Sequence, residues 1–226
     1  MNTCRLQSIF QKQQGLIDRY HGIEVINGLV LCHESPVDLS DRFGQAKLRD
    51  YAWRMTEELT EASWSLDKKL GWTDFCEELV DALHFLVELC IHAGITPDDL
   101  HNGSEHIDRL EGLYSMAFSH YYQWGEANGY EVNAPPPMTG NIDHQFVEAK
   151  IYRVIHFLGG AINLLKNKAW KQSHRETNRQ EFVLKIQRTF VEYIDLVGTI
   201  GLSPQQVFNH YVHKNEVNKV RQVSGY

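Results

Sequence analysis

Glu58 and Glu61, and after them Glu78 and Asp81, form two carboxylate pairs, each with a spacing of three residues. Residues three apart on an α-helix share a face, with Cβ atoms about 5–6 Å apart. Each pair therefore leans one way if its segment is helical. Like charges on one face repel, and the repulsion is relieved by a cation between them. No Lys or Arg occurs between Gly71 and Asp108, a stretch that also carries Asp74, Glu77, Glu88, Asp98, Asp99 and Glu105. One such pair is ordinary on a solvated helix, because Glu is a good helix former. Two pairs on consecutive helices, the second with nothing basic interleaved, point to a divalent-metal site. Hard oxygen donors suit Mg²⁺, which neutralises phosphate charge and helps to generate a nucleophilic hydroxide.

The elements that must carry these groups are legible as helices. Leu48, Ala52, Met55, Leu59, Ala62, Leu66 and Leu70 recur at spacings of four and three, predicting a helix from about Leu48 to Leu70. Gly71 closes it, and Thr73 is the expected N-cap of a second helix that buries Phe75, Leu79, Leu83, Leu86, Val87 and Cys90 and stops at Ala93-Gly94. An antiparallel pair joined at Gly71 brings the four carboxylates together. Further helices are predicted over 5–20, Pro97–Asp108, Leu110–Gly125, Phe146–Lys168 and Asn178–Thr199, and from Pro204 onward. A small hairpin is predicted around Asn27-Gly28. The fold class is all-α, a helical bundle in one domain spanning 1–226.

An internal repeat runs through the chain. Ala93-Gly94-Ile95-Thr96-Pro97 is echoed by Ile200-Gly201-Leu202-Ser203-Pro204, an offset of 107, and Trp53-Arg54-Met55 by Tyr152-Arg153-Val154, an offset of 99. The first copy covers about 45–125 and the second about 145–226, with a proline-rich linker over about 128–144. The offsets carry Glu58 and Glu61 onto Phe157 and Gly160, and Glu78 and Asp81 onto Lys185 and Arg188. The second copy thus keeps the scaffold and loses the acids, so one metal site per chain is expected.

Charge and composition narrow the functional class. The net charge of −7 argues against general nucleic-acid binding. It is unevenly spread: residues 1–113 hold 10 Lys+Arg against 20 Asp+Glu, and residues 114–226 hold 12 against 9. An acidic half for metal and a basic half for phosphate suit a nucleotide enzyme. Cys4, Cys32, Cys76 and Cys90 form no CxxC pair and read as free thiols of a cytoplasmic protein. No apolar run is long enough to span a membrane.

The arrangement Glu58-x-x-Glu61, then Glu78-x-x-Asp81 followed by His84-Phe85, resembles the all-α nucleoside triphosphate pyrophosphatases of the MazG-like superfamily. The segment EELVDALHF is similar to the signature of the dimeric dUTPase branch. The closing run from Tyr211 to Tyr226 resembles the Y-x-x-K-N-x-x-N-x-x-R-Q-x-x-G-Y of dimeric dUTPases and of phage dCTPase–dUTPases. The resemblance implies a homodimeric enzyme that hydrolyses a deoxynucleoside triphosphate, dUTP first among them, to the monophosphate and pyrophosphate with Mg²⁺. Glu58, Glu61, Glu78 and Asp81 would bind metal, one of them also orienting the attacking water. Lys214, Arg221 and Tyr226 would meet the phosphates, and Asn215 and Asn218 phosphate or sugar. His84 and Phe85 stand at the substrate, Phe85 as a wall of the base or deoxyribose pocket and His84 either there or as a core-edge histidine bonded to Glu88. Trp53, Trp64 and Trp72 are candidates for stacking on the base. Gln14 fits the first base-facing position of the family, but Ile17 stands where an Asn is expected. That loss of a polar group keeps dCTP, mixed dUTP/dCTP or broader use open. A non-catalytic helical binding protein is the reading outside the enzymes.

Overall fold

Every regular element in the computed structural model, which describes residues 4–28, 30, 32–67, 71–100, 108–127 and 144–224, is a helix. They are α1 (Arg5–Asn27), α2 (Arg42–Asp67), α3 (Trp72–His92), α4 (Arg109–Ala127), α5 (His144–Ile162), α6 (Arg179–Thr199) and α7 (Pro204–Val223). The apolar stripe of α2 is buried at Leu48, Met55, Leu59, Ala62 and Leu66, against Phe75, Leu79, Leu83, Leu86 and Cys90 of α3. Burying each large aliphatic side chain contributes about 1.5–3 kcal/mol, which overrides the repulsion of the acids beside the stripe. None of these helices is long and apolar enough to cross a membrane.

Several boundaries differ from the sequence prediction. α1 continues through Gly22, because a single glycine weakens a helix without breaking it, and ends at Gly28 in the left-handed conformation (φ 69°). No hairpin forms around Asn27-Gly28. The residue before α3 is Gly71 (φ 120°), with no side-chain cap, and Thr73 lies inside the helix. Residues 97–100 form turns rather than the start of a helix, while 101–107 and most of the expected linker, 128–143, lie outside the described residues. α5 stops at Ile162, short of Lys168. Side-chain caps set the starts of the last two helices. Asn178 accepts from the Glu181 amide at α6, and Ser203 and Gln206 form a capping box that brackets Pro204 at the start of α7.

The packing pairs α2 with α3 and α5 with α6, and the two pairs meet through α2 and α5. α7 lies on α3, and α4 lies on α6. Interchanging α2 with α5, α3 with α6 and α4 with α7 leaves these pairings unchanged. α1 stands outside the exchange, packed on α7, α3 and α4. The tail helix therefore reaches back over the acidic helix pair of the first half. Buried hydroxyls lock the halves together: Tyr193 of α6 donates to the Leu79 carbonyl (2.8 Å), and Tyr114 of α4 to that of Leu202 (2.7 Å).

The closeness of α4 to α6 yields a test. A Cβ on Gly198 would stand 2.4 Å from Cζ of Phe118, whereas one on Gly159 of α5 would meet open space. Gly198→Ala should lower the unfolding free energy by about 1–3 kcal/mol through overpacking, and Gly159→Ala should raise it by up to about 1 kcal/mol. Urea denaturation of both variants reads the contrast, and equal effects would refute this packing.

Candidate active site

α2 presents Glu58 and α3 presents Glu78 and Asp81 across the Gly71 turn, with one carboxylate oxygen from each lying within 4.8 Å of the others. Burial raises all three above the usual carboxylate range. For Glu58, the charge of Asp81 and a hydrogen bond with Glu78 add to that effect. At Asp81, Lys214 opposes it. Three hard oxygen donors that resist simultaneous ionisation fit a divalent cation of the Mg²⁺ class. Glu61 lies a turn further along α2, exposed and outside the three-oxygen cluster, though its charge still acts on Glu58 and Glu78. The sequence expectation of four converging acids becomes three with one flanking.

Basic groups come from α7. Lys214 is largely buried, with its Nζ 2.8 Å from Oδ2 of Asp81 and 3.5 Å from Oε2 of Glu77. Asn218 and Arg221, one and two turns on, line the same cavity of about 260 Å³ as Glu58 and Asp81. Buried contacts seat α7 there. The Tyr211 ring stacks on that of His84 (centroids 4.0 Å, planes 8° apart), and its hydroxyl donates to Gln13 Oε1 at 2.5 Å. Asn215 is fully buried, but its amide donates to the Lys12 carbonyl of α1 (3.3 Å), so it joins α7 to α1 rather than facing the acids. Tyr226 lies outside the described residues.

α3 supplies the cavity wall. Phe85 is half-buried beneath the Arg54 guanidinium, 5.9 Å from the ring centroid. His84 is buried, and burial depresses its pKa to about 4, so the ring is neutral at pH 7. Its Nδ1–H donates to the Val80 carbonyl (2.9 Å), not to Glu88, which leaves Nε2 as a lone-pair acceptor with no partner.

The fourth wall, α1, corrects the register expected for base recognition. Gln14 is exposed and bonds Asp18 (2.9 Å), and Ile17 is buried away from the cavity lining. Gln13, with Leu16, Tyr20 and Glu24, lines the cavity. Spacings of three and four put these on one face, a stripe visible in the sequence only once α1 is known to pass Gly22. Gln13 is engaged at both ends, donating to Glu88 Oε2 (3.2 Å) and accepting from Tyr211. Arg54 and Glu88 also line the cavity, where the sequence reading placed neither. Trp53, Trp64 and Trp72 are exposed and outside its described lining; Trp53 bonds Glu57 and Trp72 packs on Phe75.

Compared with known families, the chain matches a family model described as dUTPase over residues 55–226. The match begins inside α2, so it takes in the acids and the tail and leaves α1 outside. No curated protein and no solved structure matches the chain.

Glu88 gives a pH test. Fully buried, its carboxyl is pushed up to about 7, against about 4.3 in an unfolded chain. The folded state holds this proton more tightly. That contribution to stability is complete below the unfolded value and is lost as pH rises through about 7. Unfolding free energy should therefore fall between pH 5 and pH 8, and Glu88→Gln should flatten that fall. An unchanged slope in urea titrations would contradict the assignment.

Proposed function

The chain belongs to the dUTPase family, and from that premise we propose that it hydrolyses dUTP to dUMP and pyrophosphate with Mg²⁺. The observation that carries the proposal is one cavity lined by Glu58 and Asp81 together with Arg221, with Glu78 in the same carboxylate cluster and Lys214 paired to Asp81. Glu58, Glu78 and Asp81, with Glu61 beside them, would hold Mg²⁺, which supplies charge neutralisation at the phosphates and acidifies water. One of these carboxylates orients the attacking water. Lys214 bridges to Asp81 and Glu77, and in the proposed cycle it turns to the triphosphate. Arg221 meets the phosphates bidentately, and Asn218 the sugar or a phosphate. Phe85 packs on the deoxyribose or base, and the His84 Nε2 lone pair accepts a substrate hydroxyl or N–H.

The α1 side of the cavity bears on the choice of base. In the cavity α1 offers Gln13, already bonded at both ends, and then Leu16, an apolar side chain three residues on. A wall with few unpaired polar groups discriminates weakly between bases, which favours a dCTP/dUTP or broader pyrophosphatase as the second reading. We further propose a cytoplasmic homodimer as the working form.

Pyrophosphate release from dUTP and each canonical dNTP, measured with Mg²⁺, tests both readings. Glu78→Gln or Asp81→Asn should cut kcat by more than the ~100-fold that loss of an outer partner of a metal ligand costs, with helical content intact. Arg221→Ala should raise KM about tenfold or more, the worth of one charge-assisted hydrogen bond. Undiminished turnover in the acid variants would sink the metal assignment. No release from any triphosphate by the unaltered chain would favour the non-catalytic binding reading.

A further inference from the structure

A second and larger cavity, about 690 Å³, opens between α4, α5 and α6. Its walls correspond to those of the first. Under the sequence offset of 99, Arg54 falls on Arg153. Under the offset of 107, Asp81, His84, Phe85 and Glu88 fall on Arg188, Val191, Glu192 and Asp195. Every member of the first set lines the first cavity, and every member of the second set lines the second. The two cavities also exchange under the helix interchange that relates α2–α3 to α5–α6.

The chemistry is inverted between them. Where Asp81 stands in the first, Arg188 stands in the second, and the positions of Glu58 and Glu78 carry Phe157 and Lys185. None of the three counterpart positions carries a carboxylate. Arg153 and Arg188 both ion-pair with Glu192, and both guanidinium groups lie over the Phe157 ring, at 5.5 and 5.1 Å from its centroid. Glu192 is only 3% exposed, while the Arg153 and Arg188 side chains are 51% and 34% exposed. The acid therefore lies at the base and the guanidinium groups at the mouth, so the surface offered to a ligand is cationic.

Deeper in, Asp195 pairs with Lys150 through one oxygen, and its other, Oδ1, is buried without a hydrogen-bond partner. Its counterpart Glu88 accepts from Gln13 of α1, but among the described residues no helix takes the place of α1 over α6. A buried acceptor left open is satisfied by a donor brought from outside. Phe146 and Tyr152, both exposed, add aromatic surface to the lining. The volume lies within the range of small-molecule sites, about 300–1,000 Å³.

We propose that this cavity is a second ligand site, which binds a nucleoside monophosphate without a divalent ion. The phosphate sits at Arg153 and Arg188, an N–H or O–H of the nucleoside reaches Asp195 Oδ1, and the ring packs on the aromatic wall. The choice of a nucleotide rests on the reading of the first site; the demands for an anion and a donor do not.

Equilibrium dialysis of labelled dUMP in excess EDTA tests the proposal, with inorganic phosphate run in parallel and pyrophosphate release from dUTP assayed on the same proteins. Ala149, on the exposed face of α5 in the lining, is replaced by Trp to fill the cavity while leaving the ion pairs in place; Arg153→Gln removes one guanidinium. The expected result is saturable, EDTA-resistant dUMP binding that weakens at least tenfold in both variants and persists in Glu78→Gln, with release from dUTP unchanged by Ala149→Trp. Absence of EDTA-resistant binding, its survival in Ala149→Trp, or phosphate binding as tightly as dUMP would each overturn the proposal. Loss of release from dUTP while this binding remains would strike the reading of the first site alone.

Discussion

Three carboxyl groups, from Glu58, Glu78 and Asp81, are held within 4.8 Å of one another in a partly buried cleft, and the surrounding structure exists to tolerate that repulsion. Left alone, the arrangement opposes folding, since each group is pushed toward its protonated form. Two things offset it. The apolar stripe between α2 and α3 continues under the acids without a break, so the helices cannot separate without exposing Leu59, Leu79 and Leu83. Lys214 then supplies a cation from the far end of the chain, seated at Asp81 by helix α7.

The position of α7 is therefore part of the site's electrostatics. Its start is set by the Ser203–Gln206 capping box, its middle by Tyr211 stacked on His84, and its contact with α1 by Asn215. His84 links these roles. Neutral and buried, it spends Nδ1 on its own helix, gives a face to Tyr211 and keeps Nε2 open. The same helix arrangement built on α5 and α6 meets a different charge pattern, with acids beneath and guanidinium groups above. One scaffold thus presents two cavities of opposite electrostatic character.

Much of this was legible in the sequence, and the omissions have physical causes. The three-residue spacings of Glu58 and Glu61 and of Glu78 and Asp81 pointed to shared faces, of which Glu61 alone stays outside the cluster, and the all-α reading followed from stripes of period near 3.6. Lys214 and Arg221 were visible through the resemblance of the tail to a known motif. Gln13 was missed in favour of Gln14 because a one-residue shift turns a helical side chain by about 100°, and motif matching is poor at that resolution. Glu24 lies beyond the predicted end of the first helix at residue 20, which the helix overruns because a glycine inside a packed helix is only a modest penalty. Asn215 looked like a ligand group by motif, yet it sits on the face of α7 that meets α1. Arg54 looked like an ordinary helix residue and Glu88 like a partner for His84, since no local pattern tells a cavity wall from a solvated face. The second cavity was hidden in the same way: the sequence offsets implied that the acids were lost, not what replaced their chemistry.

What the three carboxylates hold decides the chemistry of the cleft. The most direct measurement is anomalous diffraction from crystals grown with Mn²⁺ and a non-hydrolysable dUTP analogue. Anomalous density is expected in contact with Glu58, Glu78 and Asp81, with the analogue's phosphates between that density and Arg221. Anomalous density only elsewhere, at Lys185 and Arg188 for instance, or bound analogue with none at the three acids, would contradict the metal assignment.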